Sequence, residues 1–243
     1  MKSSRRSFLS TTIAGATAVS LSPLLGMAKH FTHKHGYNDG KLRLGMVIFD
    51  GFQLLDVFGP LEMFGGLRDK ISIYLISEKK GIIKSSAGPA VVTDFSFDDV
   101  PLLEIVMIPG GGGTRREVNN EPFVTAFKNL VEKTPHVASI CTGAAVLAKT
   151  GALDGLKATT NKRAFKWASS QGPQVNWVKK ARWVEDGKFF TSSGISAGTD
   201  MALALIERLY GHDTAIVIAN GAEYEWNQDP HHDPFAELNG LKD

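Results

Sequence analysis

The chain has 243 residues and balances 27 Lys and Arg against 25 Asp and Glu, a formal charge of +2. That balance leaves no basic tract for nucleic acid and no polybasic patch for a membrane surface. Its single cysteine, Cys141, cannot close an internal disulfide, so the fold must be held by its core.

The first 28 residues read as an export signal. Ser4-Arg5-Arg6-Ser7-Phe8-Leu9 is a twin-arginine pattern, and a weakly apolar stretch from Thr11 to Leu25 follows it. Gly26-Met27-Ala28 supplies small residues at the two positions a signal peptidase needs, so cleavage is expected after Ala28. The apolar run is too short and too polar for stable membrane insertion. The reading implies passage through the twin-arginine export machinery to the periplasm. Losing Lys2, Arg5 and Arg6 leaves a mature chain of about −1 charge, so the whole-chain basicity says little about partners. The remaining roughly 215 residues suit one domain with a sizeable core. Residues 29–41 are polar and read as a linker. His30, His33 and His35 there could ligate a metal, although a solvated tail is the simpler reading.

From Leu42 onward, apolar runs alternate with helical patterns. Leu42–Phe49 reads as a buried strand, Leu54–Phe64 as a short helix interrupted or begun by Pro60, and Ile71–Ser77 as a strand. Ile82–Lys84 and Ala90–Val92 flank Gly88-Pro89 as a hairpin. Leu103–Ile108 reads as a core strand ending in Pro109 and four glycines, and Pro122–Glu132 as a helix with proline in its first turn. Val137–Ile140 leads into Cys141, and Thr142–Lys149 leads out as a helix. Asn161–Ser169 is expected to be helical, and Gln174–Val178 and Arg182–Thr191 extended, the latter turned at Glu185-Asp186-Gly187. Ala197–Tyr210 and Asp213–Glu223 close the pattern as helices, the last apolar on most sides and so expected to be largely buried. This alternation implies an α/β fold with a mostly parallel sheet covered on both faces. Ligands bind such sheets beyond the carboxyl ends of the strands. Asp50–Pro60, Gly110–Gly113 and Cys141–Gly143 all follow strands, so they are expected to converge on one edge.

Cys141 sits at a strand–turn–helix junction, the arrangement of a nucleophile elbow. Helix N–H groups behind it would favour thiolate. A buried structural thiol is the competing reading. Asp56, between Leu55 and Val57, is an acid in an otherwise buried stretch. It either caps a helix or works in a pocket, where desolvation would raise its pKa and suit it to general acid work. Gly111 and Gly112, in the run Gly110–Gly113, could bring backbone N–H groups to a developing negative charge, or merely form a flexible turn. Thr142 could bond a substrate or cap its helix. Arg115 and Arg116 could guide an anionic substrate or simply face solvent. No histidine adjoins Cys141. A Cys-His pair would need His136, His212, His231 or His232 to approach in space, and His231-His232 reads as a surface loop rather than a metal site.

Five segments, taken in order, make the chain similar to a known family. They are Leu55-Asp56-Val57-Phe58-Gly59-Pro60, Ile108-Pro109-Gly110-Gly111, Ser139-Ile140-Cys141-Thr142-Gly143, Gly155-Leu156-Lys157-Ala158-Thr159-Thr160 and Gly194-Ile195-Ser196-Ala197-Gly198-Thr199-Asp200. With them the chain resembles the ThiJ/PfpI superfamily of flavodoxin-like cysteine proteins. Within it the likeness is to isocyanide hydratases and to the ligand-sensing domains of AraC-type regulators. The resemblance implies a flavodoxin-like three-layer sandwich over residues 42–243, related to class I glutamine amidotransferases. It implies a homodimer with Cys141 as nucleophile and Asp56 as acid/base partner in a cleft near the subunit interface, and a small-molecule substrate. It implies no metal and no organic cofactor.

In the hydratases the thiolate attacks the terminal isocyanide carbon and water completes an N-substituted formamide. Protease- and glyoxalase-like relatives carry histidine after the cysteine and glutamate at the acid position. Thr142 and Asp56 argue against those activities. The hydratase and regulator groups usually have histidine after the paired threonines, where this chain has Asn161 and then Lys162. A regulator would add a DNA-binding helical domain of about a hundred residues, which the stretch after Glu223 does not hold, so no nucleic-acid partner is expected. The expectation is a periplasmic cysteine hydratase. A non-catalytic ligand-binding module and a redox-responsive thiol protein are the alternatives.

Overall fold

The computed structural model describes residues 40–242. The expected signal over 1–28, nearly all of the linker, and His30, His33 and His35 lie outside the described residues.

The described chain begins with β1 (Leu42–Val47), α1 (Leu54–Gly65), β2 (Ile71–Ser77), the pair β3 (Ile82–Lys84) and β4 (Ala90–Val92), β5 (Phe95–Ser96) and β6 (Ile105–Ile108). It continues through α2 (Thr114–Glu117), α3 (Glu121–Lys133), β7 (His136–Ile140), α4 (Gly143–Lys149), β8 (Lys157–Ala158), α5 (Phe165–Ser170) and β9 (Asn176–Trp177). β10 (Trp183–Asp186), β11 (Phe189–Ser192), α6 (Ala197–Tyr210), α7 (His212–Gly221) and α8 (Pro234–Leu238) complete it.

A seven-stranded sheet runs in the order β10-β11-β7-β6-β1-β2-β5. Every neighbouring pair is parallel except the β10–β11 hairpin. β6 is buried along its whole length, as a central strand covered on both faces must be. Its four apolar side chains each contribute about 1.5–3 kcal/mol of burial. On one face α1 packs against α6 and α6 against α7; on the other, α4 packs against α2, α3 and α5. This is the three-layer sandwich that the alternation implies. The α3 layer shows how sequence sets it: Phe123, Phe127 and Val131 recur at a four-residue spacing on its buried face. Pro122 occupies the first turn and the Asn120 side chain accepts the Phe123 N–H at 3.4 Å as N-cap.

Four expectations need correction. α7 is not largely buried: only Ala215 and Ala219 are, while Val217 is 67% exposed. Those two alanines, four residues apart, give a narrow contact stripe, and the β-branched residues between them fall on its flanks. The helix expected from Asn161 begins later, at Phe165, because the Asn161 side chain closes a turn by accepting the Ala164 N–H at 2.9 Å. The extended stretch expected over Gln174–Val178 shrinks to the two residues of β9, paired with β8 outside the main sheet. Pro60 neither starts nor breaks its helix but lies within α1.

Candidate active site

The carboxyl ends of β1, β6 and β7 are adjacent in the sheet, which brings together the segments that follow them. Cys141 follows β7 directly and takes φ 57°, the left-handed region that non-glycine residues seldom occupy. The surrounding bonds hold it there. Its N–H reaches the carbonyls of Ser192 and Ser193, both at 3.2 Å, and its own carbonyl accepts the Thr160 hydroxyl at 2.8 Å. Gly143 is needed behind it: a Cβ there would lie 2.7 Å from the Pro109 carbonyl oxygen. Cys141 is 6% exposed.

Asp56 belongs to the first turn of α1 and is fully buried. It does not cap that helix, whose N-cap is Gln53. Its Oδ2 accepts the Gly110 N–H at 2.8 Å, while Oδ1 is buried without a hydrogen bond of standard geometry. The other polar group acting on the carboxyl is the Cys141 thiol. Burial lifts the carboxyl to about 7, against opposing pulls from Gly110 and Cys141. Burial, and then the Asp56 charge, push the Cys141 thiol well above its usual range. The Thr142 N–H and hydroxyl pull it back only in part. The expected thiolate-favouring environment is therefore reversed in the resting site, because desolvation and a neighbouring carboxylate outweigh the short helix behind the sulfur. Thiol and carboxyl titrate as one coupled pair.

Thr142 occupies the N-cap position of α4 but its side chain does not cap. Its Oγ1 accepts the Gly111 N–H and the Thr114 hydroxyl, both at 3.1 Å. The glycine run is thus tied to the two strand ends beside it, Gly110 through Asp56 and Gly111 through Thr142. Gly111 has φ 127° and no room for a Cβ against the Phe52–Gln53 backbone. Gly112 is exposed and does not line the cleft described next.

Above the thiol opens a cleft of about 870 Å³, floored by Cys141, Thr142 and Gly111. Its walls bring in Gln53, Arg115, Asn161, Arg163, Lys166, Trp167 and Ile195. Asp56 is fully buried and does not line the cleft. The two residues that replace the usual histidine part company. Asn161 lines the cleft; its Nδ2 and Cys141 Sγ both lie within 2.7 Å of the place a Cβ on Gly194 would take. Lys162 instead turns into the protein, where its Nζ donates to the Thr159 hydroxyl at 2.7 Å and the Ala181 carbonyl at 2.6 Å and faces Asp233 at 3.9 Å. Of the two candidate arginines, Arg115 lines the cleft, whereas Arg116 pairs with Glu117 and reaches the Asp50 carbonyl. None of the histidines considered for a Cys-His pair lines the cleft: His136 starts β7 at the end away from Cys141, and His212 pairs with Glu207. Among the described residues no group of His, Cys, Asp or Glu side chains is arranged to hold a metal ion. Sequence reasoning missed Trp167, Arg163 and Lys166. Their spacing on one turn and its helix was visible, but nothing local showed that this turn folds over Cys141.

Residues 43–208 match the model of the DJ-1/PfpI family. The chain belongs to that family. It is 33% identical over 185 residues to the isonitrile hydratase of Pseudomonas putida, covering 75% of this chain and 78% of that one. It is 27% identical over 187 residues to the HTH-type transcriptional regulator GbdR of Pseudomonas aeruginosa, a match to 75% of this chain and half of the regulator. Among solved structures, a ThiJ/PfpI family protein from Pseudomonas syringae superposes with TM-score 0.72 at 26% identity, covering 77% of each chain. Isonitrile is another word for isocyanide, so the hydratase likeness expected from the motifs is found in the sequence comparison as well.

Proposed function

We propose that this DJ-1/PfpI protein is a cysteine-dependent hydratase that adds water to an isocyanide, or a similar small electrophile, and releases an N-substituted formamide. The observation that carries the reading is the buried Asp56 carboxyl, fixed by the Gly110 N–H against the thiol of an elbow cysteine, with no histidine lining the cleft. The resting pair's one mobile proton sits on the raised thiol and passes to the ionised Asp56 carboxyl as the substrate arrives. As the Sγ electron pair bonds to the terminal carbon of R–N≡C, that carbon takes the proton from Asp56, giving the thioimidate R–N=CH–S on Cys141. The Asp56 carboxylate then removes a proton from water as its oxygen adds to the same carbon, and passes that proton to the nitrogen, giving R–NH–CH(OH)–S on Cys141 and restoring the carboxylate. The C–S bond breaks, sulfur leaves with its electron pair, the hydroxyl proton returns to Asp56, and R–NH–CHO departs. A carboxyl at about 7 can give and take that proton near neutrality.

The test is incubation of the purified protein with an alkyl isocyanide, with the formamide followed by mass spectrometry. Formamide is expected from the wild type and not from Cys141→Ala. No turnover, or turnover that survives loss of the thiol, refutes the reading. A second reading, a ligand-binding module, is favoured by the raised thiol, which rests protonated. It is distinguished by ligand binding that persists in Cys141→Ala without any formamide. A redox-responsive thiol is supported less well, since a buried protonated thiol is slow to oxidise.

The twin-arginine pattern supports export to the periplasm with cleavage after Ala28. Fractionation and intact mass of the mature protein test it, and Arg5→Lys with Arg6→Lys should hold the protein in the cytoplasm. Exposed Leu55 and Phe58 on α1 support a homodimer, to be checked by light scattering of the mature chain.

A further inference from the structure

We infer that the molecule this cleft accepts carries a carboxylate or similar anionic group on the end away from the reacting carbon. The inference names the substrate class of the hydratase proposed above and rests on that reading for the reacting end alone.

Three cations, Arg115, Arg163 and Lys166, line the cleft, and no Asp or Glu lines it with them. Among the described residues none of the three makes an ion pair. The one side-chain hydrogen bond of Arg115 goes to the Thr114 hydroxyl at 3.4 Å. Arg116, one residue on, marks the contrast: its charge is answered by Glu117 and it points away from the cleft. The Arg115 guanidinium also lies 4.0 Å over the Trp167 ring, which fixes a long side chain in place and leaves the N–H edges available to a planar oxyanion.

This clustering is not a by-product of a basic protein. Without residues 1–28 the chain is close to neutral, and elsewhere Arg43, Arg116, Lys128, Lys162, Arg182 and Arg208 are each answered by an acid. Unanswered like charges around one concave site repel one another and raise the local concentration of an anion. Asp56, the acid beside the thiol, does not line the cleft and is committed to Gly110 and the thiol. The other polar wall residues, Gln53, Asn161 and Ser170, are neutral. A neutral alkyl isocyanide would use none of the three cations.

Two measurements test this. The first compares hydration of isocyanoacetate with that of its methyl ester. In wild type the ratio of kcat/KM should favour the anion. It should fall about two- to threefold in each of Arg115→Gln, Arg163→Gln and Lys166→Gln, and about tenfold in the triple variant, as expected for removing exposed charges from a cleft. Arg115→Lys should keep the ratio, and added salt should compress it. The second needs no turnover: alkylation of Cys141 by iodoacetate against iodoacetamide should show the same falls in rate ratio. Matched thermal midpoints confirm that the variants are folded. A triple variant with the wild-type ratio in both measurements overturns the inference. If neither isocyanide is hydrated while the alkylation ratio still falls, the hydratase reading fails and the anionic preference stands. If both isocyanides are hydrated and neither ratio moves, the preference alone fails.

Discussion

Asp56→Asn separates the cost of the buried carboxyl from its use. Asparagine keeps the shape, and its carbonyl can still accept the Gly110 N–H that Oδ2 accepts at 2.8 Å. What it removes is the proton and the charge. The wild-type carboxyl is raised from 3.8 to about 7, with burial as the leading cause. Between those values the native state binds the proton more tightly than the unfolded chain does. Stability from this group is therefore fully present below about pH 4 and is lost as pH rises through about 7. At about 1.4 kcal/mol per pH unit, the loss amounts to roughly 4 kcal/mol between pH 4 and pH 8.

The Asn variant has no such loss. Its stability relative to wild type should therefore rise by about 4 kcal/mol over the same interval, although formamide production disappears. Without the carboxylate beside it the thiol should also ionise at lower pH, so iodoacetamide should label Cys141 faster at pH 8 than in wild type. Urea unfolding of both proteins at pH 4, 6 and 8 supplies the stability difference. A difference that is flat with pH, or that turns against the variant at pH 8, would mean that Asp56 is not a desolvated acid and would remove the proton carrier from the mechanism. Hydration at the wild-type rate would remove it as well.

Other substitutions probe the supports. Thr142→Val takes away the hydroxyl that opposes the raised thiol and that accepts from Gly111 and Thr114. Labelling of Cys141 by iodoacetamide at pH 8 should slow, and stability should fall by about 1–3 kcal/mol for the stranded donors. Gly143→Ala drives a Cβ to within 2.7 Å of the Pro109 carbonyl oxygen. It should cost at least about 2 kcal/mol by urea denaturation and reduce Cys141 reactivity, because the elbow must move. Lys162→Met strands the buried Asp233 carboxyl and should cost about 3 kcal/mol at pH 7. Burial lowers Lys162 from 10.5 to about 8, against an opposing pull from Asp233. The unfolded chain thus holds more protons over that range, and the wild type should gain stability from about pH 8 to 10.5 where the variant does not.

Where chemistry is local, the sequence was readable. A β-branched run, one cysteine and then small residues describe the β7–α4 elbow, and the left-handed Cys141 is what that junction requires. Asp56 stood out because no acid belongs between Leu55 and Val57 unless something uses it. The parallel sheet followed from alternation, and with it the meeting of three loops at one edge. What depended on three-dimensional balance was not readable. The direction of the thiol shift turns on how far burial and Asp56 outweigh the Thr142 donors, and no local pattern measures that. The fate of Asn161 and Lys162 is similar. They are adjacent, yet one faces the cleft while the other is drawn inward by the Ala181 carbonyl and by Asp233, partners 19 residues away and further along the chain. The face of α7 misled because its apolar residues outnumber those the α6 surface can cover.

The glycine run is where sequence and geometry combine most closely. Read alone, it offers N–H donors to an oxyanion. In the fold, the Gly110 N–H is engaged by Asp56 and the Gly111 N–H by Thr142. These donors position the acid and the threonine beside the sulfur instead of facing a ligand. That arrangement matches the order of events proposed for an isocyanide. In an acyl transfer, negative charge appears on oxygen as the nucleophile attacks, and free N–H groups must be waiting for it. An isocyanide has no such oxygen. Its terminal carbon takes up a proton as sulfur bonds to it, so the first step needs an acid held in place more than it needs an oxyanion hole. A Gly110→Ala change would press a Cβ to 2.6 Å from Thr142 Oγ1 and 2.9 Å from Asp56 Oδ2. It should therefore lower kcat for hydration through a displaced acid, with Cys141 still open to iodoacetamide. An unchanged kcat would show that the acid does not need this anchor.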